Sequence, residues 1–127
     1  MAMVHSVDTK PEISVRRLIH GMGYRYRLHR RDLPGTPDIV LPARRAIVFV
    51  HGCFWHGHEA CRLARTPKSR VEFWTRKFKE NRERDVRKIE QLRAMGWRVI
   101  VVWECELKNR EALARRLRSF LVGETSE

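Results

Sequence analysis

Two apolar runs restrict the fold of this chain more than any other feature. Ala46 to Val50 (AIVFV) is unbroken, and Trp97 to Trp103 (WRVIVVW) carries one charged residue. Strands without polar alternation are buried on both faces, as in a sheet covered by helices on either side. Between them, Glu72 to Met95 is long and charged, with apolar positions at Phe73, Trp74, Phe78, Val86, Ile89 and Leu92, and it stops at Gly96. That spacing predicts a helix closed by a glycine. Strand, helix and strand in this order are expected to set the two strands parallel through a helical crossover.

The flanking segments extend the same architecture. Asp8 to Glu12 (DTKPE) has the composition of a helix start: Thr9 or Asp8 near the N-cap, Pro11 in the first turn, and Glu12 at the positive end of the helix dipole. Ile13 to Met22 continues with helical spacing and stops at Gly23. Tyr24 to His29 (YRYRLH) alternates apolar and basic residues, the period of a half-exposed strand. Asp32 to Pro37 is a turn-rich loop, Asp38 to Leu41 is extended, and Pro42 to Arg45 turns back. This hairpin places Asp38 near the end of the strand that finishes at Val50. Cys61 to Ser69, with Pro67, is irregular, and Glu111 to Leu121 forms a C-terminal amphipathic helix. The expectation is a three-layer α/β domain spanning residues 1–127, with residues 1–7 a short arm. A chain of 127 residues buries an adequate core without disulfides.

Charge narrows the partners. The 27 Lys and Arg residues exceed the 15 Asp and Glu, for a formal charge of +12, which points to a polyanion. No run is long and apolar enough to span a membrane, and the first ten residues lack the features of a signal peptide, so a cytoplasmic location is expected. Cys53, Cys61 and Cys105 are then read as metal ligands or buried thiols rather than disulfide partners.

The chemistry concentrates directly after the first buried strand, in VFVHGCFWHGHEAC (Val48 to Cys61). Cys53, His58, Cys61 and Cys105 offer the donor set of a closed tetrahedral zinc site, although C-x4-H-x2-C is not a familiar finger spacing and small buried cysteines are the alternative. Asp38 is either a solvated strand-entry residue or a Mg2+ ligand, assisted by the backbone carbonyl of Val50. His51 and His56 are candidates for a general base near neutral pH, against the commoner outcome of surface or core histidines. Phe54 and Trp55 are either core or an apolar wedge that separates base pairs.

Four ordered stretches resemble the very short patch repair (Vsr) endonucleases across nearly the whole chain: DLPGTPDIV (Asp32 to Val40), VFVHGCFWHGH (Val48 to His58), FKENRERD (Phe78 to Asp85) and GWRVIVVWECE (Gly96 to Glu106). The resemblance implies a restriction-endonuclease-like core, with a central mixed β-sheet flanked by helices and a zinc-stabilised loop. It implies nicking of one strand of double-stranded DNA beside the thymine of a T:G mismatch, with Mg2+ as catalytic and Zn2+ as structural cofactor. Asp38 and the Val50 carbonyl would hold Mg2+, His56 would activate water with His51 beside it, and Glu12 would be an acid close to the metal. Cys53, His58, Cys61 and Cys105 would hold zinc, and Phe54 and Trp55 would enter the DNA from the major groove. The restriction-enzyme lysine is missing, and histidine stands in its place at Phe49-Val50-His51.

The resemblance further implies a monomer at the bacterial nucleoid, linked functionally to a cytosine-5 methyltransferase and mismatch-repair proteins. The arm before the first helix is shorter than is usual for such enzymes. That leaves two alternatives: a nicking nuclease with another mismatch, modified DNA or relaxed duplex as target, and a non-catalytic zinc-containing DNA-binding module.

Overall fold

A computed structural model describes residues 9–53 and 68–123. Helix α1 (Lys10–Gly21) is followed by strands β1 (Arg27–Leu28), β2 (Ile39–Leu41) and β3 (Ala46–His51), with a 3-10 turn at Pro42–Arg44 between the last two. Helix α2 (Val71–Ala94), strand β4 (Arg98–Trp103), a 3-10 turn at Glu104–Lys108 and helix α3 (Arg110–Val122) complete the order. The strands form one sheet in the order β1-β2-β3-β4. The first two pairings are antiparallel, whereas β3 and β4 run parallel from Ala46 beside Arg98 to His51 beside Trp103. The mixed sheet and the parallel pair joined through a helix match the sequence expectation.

Strand parity divides the core into two layers. Ile39, Leu41, Ala46, Val48, Ile100 and Val102 pack with Val15 and Ile19 of α1 and with Leu113, Leu117, Phe120 and Leu121 of α3. The alternate residues Val40, Ile47, Phe49 and Val99 pack on the other side with Leu92 of α2, Trp97 and Leu33. Val15, Ile19, Ile39, Val40, Ile47, Val48 and Leu117 have no solvent exposure. Each such aliphatic side chain contributes about 1.5–3 kcal/mol by burial, which makes this central pair of layers the fold's main source of stability.

Two elements depart from the sequence expectation. Only Arg27–Leu28 pairs in the segment Tyr24 to His29, although Tyr24, Tyr26 and Leu28 do share one packed face. Alternation fixed which side chains turn inward, but His29 adopts φ +50°, a left-handed conformation that ends the ladder. The second departure is α2, where only Phe78 and Leu92 are buried and Phe73 and Val86 are exposed. Its 24 residues extend about 36 Å at 1.5 Å each, whereas a strand of six residues spans about 20 Å. The helix therefore overshoots the strands, and its N-terminal half extends past the end of the described sheet.

The amino ends of the parallel strands are closed by arginines. The Arg45 guanidinium donates to the Met95 carbonyl at 2.8 Å and lies 4.5 Å from the Trp97 ring centroid. Arg98 donates to the carbonyls of Phe120 and Arg44, and its backbone N–H donates to the Arg45 carbonyl at 2.8 Å. Gly96, at φ +94°, permits this closure, because a Cβ there would stand 2.8 Å from the Arg45 guanidinium.

Candidate active site

The carboxyl end of β3 gathers the acids and imidazoles. On α1, Thr9 caps the helix and its Oγ1 accepts from the Glu12 N–H at 3.3 Å, with Pro11 in the first turn. This start fixes Glu12 on the inward side, where only 2% of it remains exposed. Proximity to the helix N-terminus stabilises its charge by about 0.3–1 kcal/mol. Desolvating a carboxylate costs several kcal/mol, so the dipole alone does not hold it. One partner is His29, whose Nε2 lies 2.9 Å from Glu12 Oε2.

Asp38 immediately precedes β2, and its Oδ2 accepts from the Val50 N–H at 2.8 Å. The hairpin thus brings Asp38 to the end of β3, as the sequence indicated. In an antiparallel pair a residue turns its N–H and C=O toward the same neighbour, so the Val50 carbonyl is directed along the same edge as Asp38. The β1–β2 register, continued by one residue, sets His29 opposite Asp38, and the His29 N–H donates to the Asp38 carbonyl at 3.2 Å. One ligand atom from each of Glu12, His29 and Asp38 lies within 4.8 Å of the others.

Two carboxylates at that distance repel by roughly 3 kcal/mol or more at an effective dielectric constant near 20. A divalent cation between them would turn this repulsion into attraction. Two carboxylates with a carbonyl at hand are donors of the kind that Mg2+ takes, so the residues fit that ion.

His51, the last residue of β3, falls by strand parity on the α2 face together with Phe49. It is 6% exposed, lies edge-on to Trp103 at 5.2 Å between ring centroids, and lies 5.7 Å from Phe49. Its Nδ1 is 3.9 Å from Asp85 Oδ2 on α2, within ion-pair range and beyond a direct hydrogen bond. Because Asp85 meets the end of β3, residues 71–84 of α2 run past that end of the sheet, the end at which the acids gather.

The Cys53 N–H donates to Glu104 Oε1 at 3.2 Å, which brings the segment after β3 against the turn after β4 that contains Cys105. Cys53 is buried and Cys105 is half-buried. The other proposed zinc ligands, His58 and Cys61, together with His56, Phe54, Trp55 and the arm 1–7, lie outside the described residues. The two thiols on adjoining segments suit half of a tetrahedral zinc set by donor chemistry.

Sequence reasoning named Glu12, Asp38, Val50 and His51, and the structure brings all four to one end of the sheet. It missed His29 and Asp85. Hairpin register would have found His29, as the residue facing Asp38 across one further step. Asp85 ends the stretch FKENRERD and carried no periodicity signal, since an acid on a charged helix reads as solvated.

Comparison with known proteins finds relatives of the whole chain. Residues 1–62 match the family model described as DNA mismatch endonuclease Vsr. The chain is 59% identical to the type II nicking enzyme V.XorIIP of Xanthomonas oryzae pv. oryzae, over 95% of this chain and 88% of that protein. It is 43% identical to the DNA mismatch endonuclease Vsr of Escherichia coli (strain K12), over 98% of this chain and 82% of that protein. In fold it is similar to the catalytic domain of the homing endonuclease I-Bth0305I, with a TM-score of 0.60, 20% identity, and coverage of 94% of this chain and all of that domain.

Proposed function

The chain belongs to the Vsr DNA mismatch endonuclease family, and from that premise we propose that it nicks one strand of duplex DNA beside the thymine of a T:G mismatch, with Mg2+ as cofactor. The coarser statement is plain from its relatives: it is a DNA nicking endonuclease. The observation that supports a metal-dependent nuclease is the convergence of Glu12, His29 and Asp38 within 4.8 Å, beside the Val50 backbone at the end of β3, while the mismatch target is inferred from the family alone.

In this reading Asp38 and the Val50 carbonyl hold Mg2+, and Glu12 adds negative charge behind them. When bound, the cation would neutralise charge on the scissile phosphate and its leaving oxygen. The protein's own part is positional. The Val50 N–H fixes the Asp38 carboxylate, the α1 cap fixes Glu12, and the ring contacts with Phe49 and Trp103 fix His51. His56 takes the proton of the attacking water, and His51, steadied by Asp85 at 3.9 Å, assists at the end of β3. A direct attack by water requires no covalent intermediate on the protein.

Cys53, His58, Cys61 and Cys105 hold a structural zinc ion that pins the segment carrying Phe54 and Trp55, the proposed wedge into the DNA. The enzyme acts as a monomer in the cytoplasm, at the nucleoid, downstream of a cytosine-5 methyltransferase and alongside mismatch-repair proteins. Among the described residues no helix is long and apolar enough to cross a membrane.

The test is strand-resolved nicking with Mg2+ of one duplex carrying a central T:G pair and of its T:A twin, at one fixed salt concentration because a +12 chain binds any DNA at low ionic strength. A single cut beside the mismatched thymine, missing in the twin, supports the reading. Equal cutting of both duplexes would retain the nuclease and remove the mismatch. No cutting of either would remove the catalytic reading.

A further inference from the structure

We propose that His29 is a nitrogen ligand of the cation held by Asp38 and Glu12, which makes the centre a mixed carboxylate–imidazole site that favours a first-row transition ion such as Mn2+. The inference rests on the metal-dependent reading of this site given above.

Three features converge on it. The first is distance. His29 Nε2 stands 2.9 Å from Glu12 Oε2. Neighbouring ligands of an octahedral ion, each about 2.1 Å from the metal, lie about 3 Å apart, so the pair already has the spacing of adjacent ligands. The third donor, from Asp38, lies within 4.8 Å of both, which a small side-chain adjustment around an ion would close.

The second is backbone conformation. His29 has φ +50°, a region that a residue with a Cβ seldom occupies. The same residue still bonds through its N–H to the Asp38 carbonyl at 3.2 Å. The left-handed turn occurs at the residue whose ring meets the first turn of α1, and strain of this sort concentrates where a structure holds a functional group in place.

The third is the setting of the carboxylates. Glu12 is 2% exposed and has Asp38 close by, and its contact with an imidazole is compatible with either a simple ion pair or a shared ion. A simple ion pair would satisfy Glu12 and leave the repulsion from Asp38. A shared cation answers both. Imidazole is a poor ligand for Mg2+ and a better one for first-row transition ions, so a nitrogen donor raises the affinity of Mn2+ relative to Mg2+ without removing Mg2+ binding.

The experiment uses the zinc-replete full chain without DNA and Mn2+ alone as the probe. Electron paramagnetic resonance titration gives stoichiometry and affinity, and pulsed resonance reads nitrogen hyperfine coupling to the bound ion. The expected result is one Mn2+ per chain with nitrogen coupling in the parent protein. That coupling disappears in His29→Asn, a substitution compatible with a left-handed backbone, and Mn2+ affinity falls about tenfold. His29→Gln serves as a second variant, and thermal melting confirms that both remain folded. Bound Mn2+ without nitrogen coupling, or coupling that persists in both variants, would overturn the assignment of His29. In that case loss of Mn2+ binding in Asp38→Asn would leave the metal centre standing. A parent chain that binds no Mn2+ would overturn both.

Discussion

The two ends of the parallel pair β3–β4 are built from opposite chemistries. At the amino end, Arg45 and Arg98 spend their donors on the chain's own carbonyls, at Met95, Phe120 and Arg44. At the carboxyl end, Glu12, His29 and Asp38 cluster beside the last residues of β3, and His51 at its end faces Asp85 of α2. One end joins α2, α3 and the hairpin to the sheet. The other collects charges that a phosphate-cleaving centre uses. Crevices outside the carboxyl ends of strands are the usual ligand sites of open α/β sheets, and the proposed site follows that rule. The contrast also shows that a basic chain does not devote all of its arginines to a polyanion.

If this division is right, substitutions at the two ends will separate activity from stability. The largest effect beyond Asp38 itself is expected at Glu12: Glu12→Gln lowers the single-turnover nicking rate about a hundredfold or more, because charge near the transition state is weakened. A fall of less than about threefold in that rate would remove Glu12 from the centre. Next, His51→Ala lowers the same rate about a hundredfold. Asp85→Asn lowers it about tenfold, since Asp85 only steadies the imidazole across 3.9 Å. Equal losses for the two would indicate that Asp85 has a direct role.

At the amino end the signs reverse. Arg98→Ala removes charge-assisted bonds to two carbonyls and should cost about 2 kcal/mol in denaturant unfolding, while the nicking rate stays within about twofold. Gly96→Ala meets both a positive φ and the Arg45 guanidinium, and should cost about 1–2 kcal/mol. A variant at this end that stops nicking without loss of stability would break the division.

Much of this contrast was legible in the sequence. The unbroken run Ala46 to Val50, the helix up to Gly96 and the run up to Trp103 specify a parallel pair through burial and periodicity alone. Pro42 and the extended segment before it specify a hairpin, which is why Asp38 was placed correctly beside Val50. Glu12 was placed by its helix start, but its burial depends on α1 packing across β3, which no local pattern states. His29 was missed because an alternating segment reads as continuous strand, whereas a single left-handed residue ends it. The overhang of α2 was missed because periodicity indicates which face of a helix is apolar, not how far the sheet beneath it extends. The acidic partner of His51 was hidden among the many charges of that helix.

In the proposed mechanism Asp38, at the carboxyl end of β3, organises the chemistry. The most direct test is the single-turnover nicking rate of Asp38→Asn on a T:G duplex with Mg2+, measured beside the parent chain and accompanied by thermal melting. The account predicts a rate about a thousandfold lower or worse, corresponding to a loss of roughly 4 kcal/mol in transition-state stabilisation, with melting nearly unchanged. A rate within a few fold of the parent, in a folded variant, would contradict it.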